Sequence, residues 1–302
     1  MVYERIEKCP VCGKTEFRNK LVVEDRSVSG ESFAIVQCGH CGFQFTNPRP
    51  DAAHIGRYYE SDDYVSHNSG AGGLINQAYK VARFFTMRRK VGLLNKLAPR
   101  RGRLLDYGCG TGHFLRAAKG AGWQVAGVEP SARARADASQ RLGQPVGEGS
   151  LAEFAPGSFD AVTLWHVLEH VHTLNETLAQ LVALLKPDGV LLVAVPNVES
   201  LDAQHYREAW APYDVPRHLY HFVPATMRRL LAGHGLRVVQ TRPLPLDAYY
   251  VSMLSERHRP AAQRGGPLAV LRAGYRSNQY AAQHEGQYSS LLYVAARRAP
   301  AP

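Results

Sequence analysis

The fold is decided by the stretch Leu104-Leu105-Asp106-Tyr107-Gly108-Cys109-Gly110-Thr111-Gly112, an apolar run that ends in an acid and continues into three alternate glycines. Glycines in such a turn let the backbone reverse sharply and approach a bound ligand closely. A dinucleotide-binding turn has the pattern G-x-G-x-x-G, whose last glycine would fall at His113 in this chain. The stretch therefore predicts a ligand-binding turn at the end of a strand and disfavours NAD as the ligand.

Downstream of this stretch, short apolar runs alternate with segments of helical periodicity. Strands that alternate with helices form a parallel sheet covered on both faces. The predicted strands are 104–106, 125–128, 161–164, 190–195 and 237–240, and the predicted helices lie near 113–121, 131–142, 174–185 and 224–234. The pattern indicates an α/β fold with a doubly wound sheet.

A second acid marks the neighbouring strand. Glu129 follows the second predicted strand, twenty-three residues after Asp106. The ends of neighbouring parallel strands meet at one edge of an open α/β sheet, where ligands bind. A carboxylate at that edge can accept hydrogen bonds from both ribose hydroxyls of a nucleoside.

Six stretches together resemble the class I S-adenosylmethionine-dependent methyltransferases, and specifically the ubiquinone-biosynthesis-like (methyltransferase type 23) superfamily. They span about residues 103–240. The stretches are Asp106–Gly112, Val128-Glu129-Pro130, Phe159-Asp160-Ala161-Val162, His166-Val167-Leu168-Glu169-His170-Val171, Leu185-Lys186-Pro187-Asp188-Gly189 and Val195-Pro196-Asn197.

The resemblance implies a seven-stranded Rossmann-like sheet whose last strand, Ser290–Ala296, is antiparallel. It also implies S-adenosylmethionine as cofactor. The methionine end would be held by Asp106, Tyr107, Gly108, Gly110 and Gly112, the ribose by Glu129, and the adenine edge by Ser150 and Leu151; Trp165 and His166 would line the sulfonium.

Histidines are the candidates for removing a proton from the methyl acceptor, because the unperturbed histidine pKa suits neutral pH. His218 and His221 lie in a segment that resembles the D-x-P-R-H-L insert of the family, and His170 follows the predicted strand 161–164. We expect His218, His221 or His170 to act as base or substrate ligand. The alternative is that each is a structural histidine.

A metal beside these histidines is a further alternative. The ubiquinone-type enzymes carry a Glu-x-x-Glu-His sequence linked to a divalent metal, and this chain has His166-x-x-Glu169-His170 in its place. Helix capping and packing are the ordinary explanation for Glu169 and His170.

Four of the five cysteines form two Cys-x-x-Cys-Gly knuckles, at Cys9, Cys12, Cys38 and Cys41. Two such pairs can place four thiolates around one Zn²⁺ ion, and the glycine permits the tight turn after each pair. The spacing predicts a closed structural zinc ribbon. Cys109 lies alone in the glycine turn and is expected to be a small packing residue.

These features divide the chain into three parts. Residues 1–48 form the zinc ribbon, 49–98 a connector with a long basic amphipathic helix at 74–97, and 99–302 the methyltransferase domain, with inserts at about 199–222 and 243–287. Tyrosines 58, 59 and 64 are expected either to cover the cleft or to pack in a core.

The net charge of +10 comes largely from the region between Tyr64 and Leu105, which holds nine Lys and Arg and no acid. This stripe either meets phosphates or an acidic glycan, or is a solvated helix face. We expect a small-molecule or glycan-type acceptor; a zinc-ribbon RNA methyltransferase is the alternative, and a cofactor-sensing binding protein ranks third.

Because no apolar run is long enough to cross a bilayer and no secretory signal is visible, we expect a cytoplasmic protein without membrane insertion. The sequence carries no signal for an oligomeric state.

Overall fold

The computed structural model describes residues 3–59, 74–98 and 101–297. Tyr64, of the predicted aromatic cluster, lies outside these residues. The strands are β1 (Tyr3–Glu4), β2 (Phe17–Glu24), β3 (Ser32–Cys38), β4 (Gln44–Thr46), β5 (Arg49–Pro50), β6 (Arg103–Tyr107), β7 (Gln124–Val128), β8 (Phe159–Trp165), β9 (Leu185–Pro196), β10 (Tyr220–His221), β11 (Leu236–Pro243) and β12 (Ser290–Arg297). The helices are α1 (Leu74–Leu97), α2 (His113–Gly120), α3 (Ala132–Leu142), α4 (Leu174–Leu184), α5 (Leu201–Tyr206), α6 (Pro224–Gly233), α7 (Asp247–His258) and α8 (Pro267–Gln283).

The central sheet has the strand order β11-β12-β9-β8-β6-β7. Strands β6 to β9 are parallel, and β12 is antiparallel to both β9 and β11. The predicted α/β class and the antiparallel last strand are therefore confirmed. The order reverses at β6, so that chain segments leaving β6 and β8 diverge and open a crevice at that edge.

This sheet has six strands within the described part of the chain, one fewer than the resemblance implies. The seventh position, beside β7, is taken by a single parallel bridge between Val128 and Gly147. Pro145 lies two residues before that bridge, and proline has no N–H to extend a ladder. A longer edge strand is therefore absent at this place.

Buried apolar runs account for the interior strands. Ala161, Val162 and Leu164 of β8 are fully buried, as expected for a strand covered on both faces. Helix α4 places Leu174, Leu178 and Leu181 on one face against the same core. Each such side chain stabilises the fold by about 1.5–3 kcal/mol when it leaves water.

The N-terminal region forms a second sheet, with the order β10-β4-β3-β2. Its strand β10 comes from the insert at 199–222, and Tyr220 pairs with Phe45. Arg217 is buried and reinforces the junction: it contacts Asp25 at 2.8 Å and Asp214 at 2.6 Å. The insert is thus built into the N-terminal sheet.

Of the connector tyrosines in the described residues, Tyr58 packs in the core. Tyr58 is fully buried and meets Phe33 edge-on, with ring centroids 5.6 Å apart. The hydroxyl of Tyr59 lies 3.1 Å from Nδ1 of His170. The second insert folds as α7 and α8. No helix in the described ranges combines the length and hydropathy needed to cross a membrane.

Candidate active site

The glycine turn connects the end of β6 to α2. Gly108, Gly110 and Gly112 have φ values of 72°, 54° and 76°, in the left-handed region that favours glycine. A Cβ on Gly108 would lie 2.6 Å from Cγ2 of Val167. At Gly110, no described atom lies within 4 Å of the Cβ position. The open space beside Gly110 leaves room for a ligand to approach the backbone of the turn.

Glu129 joins this turn to the end of β7. Its Oε2 accepts a hydrogen bond from the Gly110 N–H at 2.8 Å, and its Oε1 accepts one from the Ser131 N–H at 2.9 Å. The carboxylate is buried, and each of its oxygens keeps a further lone pair. Asp106 and Glu129 thus stand at adjoining strand ends, as the sequence predicted.

Asp106 is a buried acid under the electrostatic influence of the partly buried amine of Lys90. It accepts a hydrogen bond from the Thr163 hydroxyl at 2.6 Å. Burial raises the pKa of Asp106 to about 7, while the Thr163 hydrogen bond and the charge of Lys90 act in the lowering direction. Burial likewise lowers the pKa of Lys90, against the charges of Asp106 and Asp247.

The ammonium of Lys90 lies 4.1 Å from the ring centroid of Trp165. The indole Nε1 of Trp165 is buried and has no hydrogen-bond partner among the residues described. The orphaned indole N–H, the partly buried ammonium of Lys90 and the buried carboxyl group of Asp106 offer a zwitterionic ligand a hydrogen-bond donor, a cation and an anion. The residues therefore fit the methionine end of the cofactor.

The sequence also predicts cofactor contacts for Tyr107, Ser150 and Leu151. Tyr107 follows Asp106 on the strand and so points to the other face, where Thr177 donates to its phenol. Leu151 is buried in the same cluster as Val128, whereas Ser150 is exposed. The structure brings Leu151 to the edge beyond Glu129 and places the Tyr107 ring away from Asp106.

His166 ends β8 in a left-handed conformation, with φ 57°. Its Nε2 lies 3.1 Å from Oδ2 of Asp247, and its Nδ1 lies 3.5 Å from Oε1 of Glu169. Burial acts to lower the pKa of His166, but the contacts with Asp247 and Glu169 outweigh it and raise the pKa to about 9. His166 is therefore an imidazolium at neutral pH.

Glu169, His170 and His218 form a compact group beside His166. Their metal-ligating atoms all lie within 4.8 Å of one another. Both carboxylate oxygens of Glu169 are buried without a hydrogen bond from any described residue. Burial and the charge of His218 lower the pKa of His170 to about 4, so this ring is neutral. One carboxylate and two imidazoles could also hold a divalent ion.

His218 has its protonation state partly fixed by a neighbour. Its Nδ1 lies 2.7 Å from the carbonyl oxygen of Pro212. A carbonyl can only accept, so Nδ1 carries the proton and Nε2 of the neutral ring keeps its lone pair. Nε2 lies 3.9 Å from Oδ2 of Asp214.

His221 lies deeper than His218. Its Nε2 contacts the Thr46 hydroxyl at 3.2 Å, and that hydroxyl donates to the His218 carbonyl at 2.8 Å. Burial, with the charge of His218, lowers the pKa of His221 to about 3. This environment favours a role in fixing the insert.

The four N-terminal cysteines converge. Their Sγ atoms lie within 4.8 Å of one another, with 3.5 Å between those of Cys9 and Cys41 and 3.6 Å between those of Cys12 and Cys38. Tetrahedral Zn–S bonds of about 2.3 Å require Sγ atoms about 3.8 Å apart. The group therefore has the donor set and spacing of a closed zinc site.

Comparison with known proteins agrees with this geometry. The family described as "Methyltransferase domain" matches residues 79–241, more than half of the chain. The chain belongs to this methyltransferase family.

One relative of this chain is the ubiquinone biosynthesis O-methyltransferase of Rhodopseudomonas palustris (strain HaA2), which is 29% identical over 46% of this chain and 59% of the relative. The C-methyltransferase NovU of Streptomyces niveus is 26% identical over 78% of this chain and 57% of its own length. The chain thus spans less than two thirds of these relatives. Among solved structures, magnesium protoporphyrin IX methyltransferase from Synechocystis PCC 6803 has a TM-score of 0.53 at 17% identity, covering 82% of this chain and 100% of that one, which shows the fold alone.

Several residues of this candidate site are not identified from the sequence. Lys90 lies in the basic stripe, for which a solvated helix face is one of the two interpretations, and Asp247 and Thr46 come from segments far away in the chain. Lys90 had a signal: Val91 and Leu94 on the same helix are apolar and buried, so the helix has an inward side. The contacts of Asp247 and Thr46 are tertiary and leave no local pattern.

Proposed function

We propose that the protein transfers a methyl group from S-adenosylmethionine to a small-molecule or glycan-type acceptor. The observation that carries the proposal is the glycine turn that meets Glu129 and Asp106 at adjoining strand ends. One relative is named for the biosynthesis of a small molecule, as a ubiquinone biosynthesis O-methyltransferase, and this supports a small acceptor. The alternative of an RNA methyltransferase is an outcome of the test below.

We assign each part of the cofactor to the residues that would hold it. Asp106 holds the amino group of the methionine end and Lys90 its carboxylate, because burial disfavours the charged form of each residue and a ligand group of opposite charge stabilises it. The free lone pairs of Glu129 accept from the ribose hydroxyls, and Leu151 packs at the adenine edge with Ser150 at the rim. When bound, the cofactor supplies an electrophilic methyl group on a sulfonium.

The proton of the acceptor is removed by His218 in this proposal. Its Nδ1 lies 2.7 Å from the Pro212 carbonyl oxygen, so Nε2 carries the lone pair that accepts the proton, and the ring lies in the compact group with Glu169 and His170. The fully buried carboxylate of Glu169 stabilises the imidazolium that forms. His170, a neutral ring 4.5 Å from that of His218, orients the base, and the buried His221 fixes the insert.

The cysteine group holds one structural zinc ion. A site of four thiolates has no open position for catalysis, so its function is to hold a segment that has little core of its own. The proposal includes the division of the chain into three parts: the ribbon at 1–48, the connector at 49–98 and the catalytic part at 99–302.

The direct test follows radiolabelled methyl groups from S-adenosylmethionine into a cell extract, with and without ribonuclease. Label in ribonuclease-resistant small molecules supports the proposal, and label confined to a ribonuclease-sensitive fraction overturns it.

His218→Ala should reduce transfer by about 100-fold or more, with unchanged cofactor affinity. His234→Ala is the matched control, because His234 follows α6 and contacts Asn175; equal activity of the two variants would contradict the role of His218.

A further inference from the structure

Helices α7 and α8 form an antiparallel pair, called the helical hairpin below. At one end the Asn278 side chain donates to the Pro245 carbonyl at 2.9 Å, and at the other the Gly265 N–H donates to Oε2 of Glu256 at 2.7 Å. One turn inward from the first of these contacts, a Cβ on Gly274 would lie 2.6 Å from the Tyr249 ring. The two helices are thus in close contact along their length, and each has one side facing solvent.

The solvent side of the hairpin is rich in large apolar side chains. Leu268, Leu271 and Tyr275 are 69%, 57% and 56% exposed, and they follow one face of α8. Leu246 and Met253 are also exposed, a heptad apart along α7. Six of the nine exposed large hydrophobic residues in the described chain lie between residues 246 and 275, so this is a patch and not scattered exposure.

The charges of the hairpin are sorted by sign. Its two acids are directed inward: Asp247 pairs with His166, and the buried Glu256 accepts from Tyr206 and Gly265. The charged side chains on the exposed surface between residues 246 and 283 are all arginines: Arg257, Arg264, Arg272 and Arg276. The exposed side therefore combines apolar residues with positive charge only.

We propose that the helical hairpin docks on an anionic lipid surface. An amphipathic helical surface with leucines and aromatic residues beside arginines lies in the plane of the interface, with its apolar side chains among the acyl chains and its arginines at the headgroups. A second copy fits less well, because a two-fold contact through this face would bring two arginine sets together. A polynucleotide would satisfy the arginines and leave the leucines exposed.

Docking here brings the active site close to the lipid surface. Asp247 begins α7 and contacts His166, which ends β8 at the cleft. The proposal concerns binding alone and does not depend on methyl transfer, so its failure would leave the proposed reaction standing.

The experiment is co-sedimentation of the full chain with vesicles, either phosphatidylcholine alone or phosphatidylcholine mixed with an equal part of phosphatidylglycerol. We expect partition into the mixed vesicles only, weakening as salt is raised. Leu268→Glu/Leu271→Glu and Arg272→Glu/Arg276→Glu should each reduce partition at least tenfold. The matched control is Val22→Glu/Val239→Glu, which changes two exposed apolar residues outside the hairpin and should bind as the parent chain does.

All variants are first checked for unchanged circular dichroism and thermal midpoint. Absence of sedimentation with the mixed vesicles overturns the proposal. So does a parent chain that is dimeric in solution and becomes monomeric in Leu268→Glu/Leu271→Glu, because the face is then an interface between copies. Stronger binding to RNA than to vesicles, lost in the arginine variant, also overturns it.

Discussion

Asp106 and Lys90 show how single residues set the chemistry of the proposed cofactor site. Asp106 is buried and Lys90 is partly buried, and burial disfavours the charged form of each. A nearby cation stabilises the charged form of Asp106, and Lys90 supplies only part of this stabilisation. A bound ammonium group would supply the rest, so cofactor binding and the ionisation of Asp106 should be coupled.

The affinity for S-adenosylmethionine should therefore depend on pH. Because the pKa of Asp106 is about 7 in the free protein and falls when an ammonium binds, binding releases a proton. Affinity should drop as pH is lowered from 7 to 5.5, by up to about tenfold per pH unit. Isothermal titration calorimetry across this range measures it, and Asp106→Asn should flatten the profile. A flat profile for the unmodified chain would contradict the coupling.

Gly108 should tolerate no side chain. Gly108→Ala combines a left-handed φ with a contact of 2.6 Å to Val167, so we expect a loss of about 1–3 kcal/mol in the free energy of unfolding, together with weaker cofactor binding. Gly92→Ala is the matched control: it lies within helix α1 with open space around it, and should stabilise by about 0.5–1 kcal/mol. Urea unfolding compares the two, and a neutral Gly108→Ala would disprove the steric account.

At the scale of elements, periodicity predicts what is local. The apolar runs of β6 to β9 and the Leu174-Leu178-Leu181 face of α4 are recognisable from sequence because burial dictates their spacing. Strand β10 is two residues long, and its partner β4 lies more than 170 residues earlier, so no local pattern announces the pair. The same holds for Asp247 and His166. The seventh strand that the family resemblance implies is reduced to a single bridge near Pro145, a residue that is visible in the sequence.

Thr46 of β4 links the β4–β10 pairing to the proposed base, His218. Its hydroxyl donates to the His218 carbonyl, so Thr46→Val removes that hydrogen bond while keeping the shape. We expect a loss of about 1–3 kcal/mol in the free energy of unfolding and a lower kcat, with cofactor affinity unchanged. Thr241→Val, on β11, is the control. Equal turnover in the two variants would show that the pairing does not position His218.

At the scale of the whole molecule, the N-terminal sheet and the central sheet share the insert that carries the histidines. The second knuckle, Cys38 to Cys41, leads directly into β4, and β4 pairs with β10. Arg217 adds a buried ionic connection from the insert to Asp25. A metal at the cysteines would thus hold the acceptor side of the site in place from a distance.

Zinc should accordingly be present at one ion per chain and should be needed for turnover. Cys9→Ser and Cys41→Ser should lose the ion and lower the thermal midpoint, as measured by elemental analysis and circular dichroism. Cofactor affinity should persist, because Asp106 and Glu129 lie on the other sheet. Cys109→Ala, outside the cysteine group, is the control and should keep the ion. Full zinc content in Cys41→Ser would rule out the four-cysteine site.

The central claim is that the glycine turn and Glu129 bind the adenosyl cofactor, and calorimetry with S-adenosylhomocysteine measures this directly. We predict saturable binding of one ligand per chain, weakened at least about tenfold by Glu129→Gln, because hydrogen bonds to a charged acceptor contribute about 1.5–3 kcal/mol each. Absence of binding by the unmodified chain, or equal affinity in Glu129→Gln, would contradict the account.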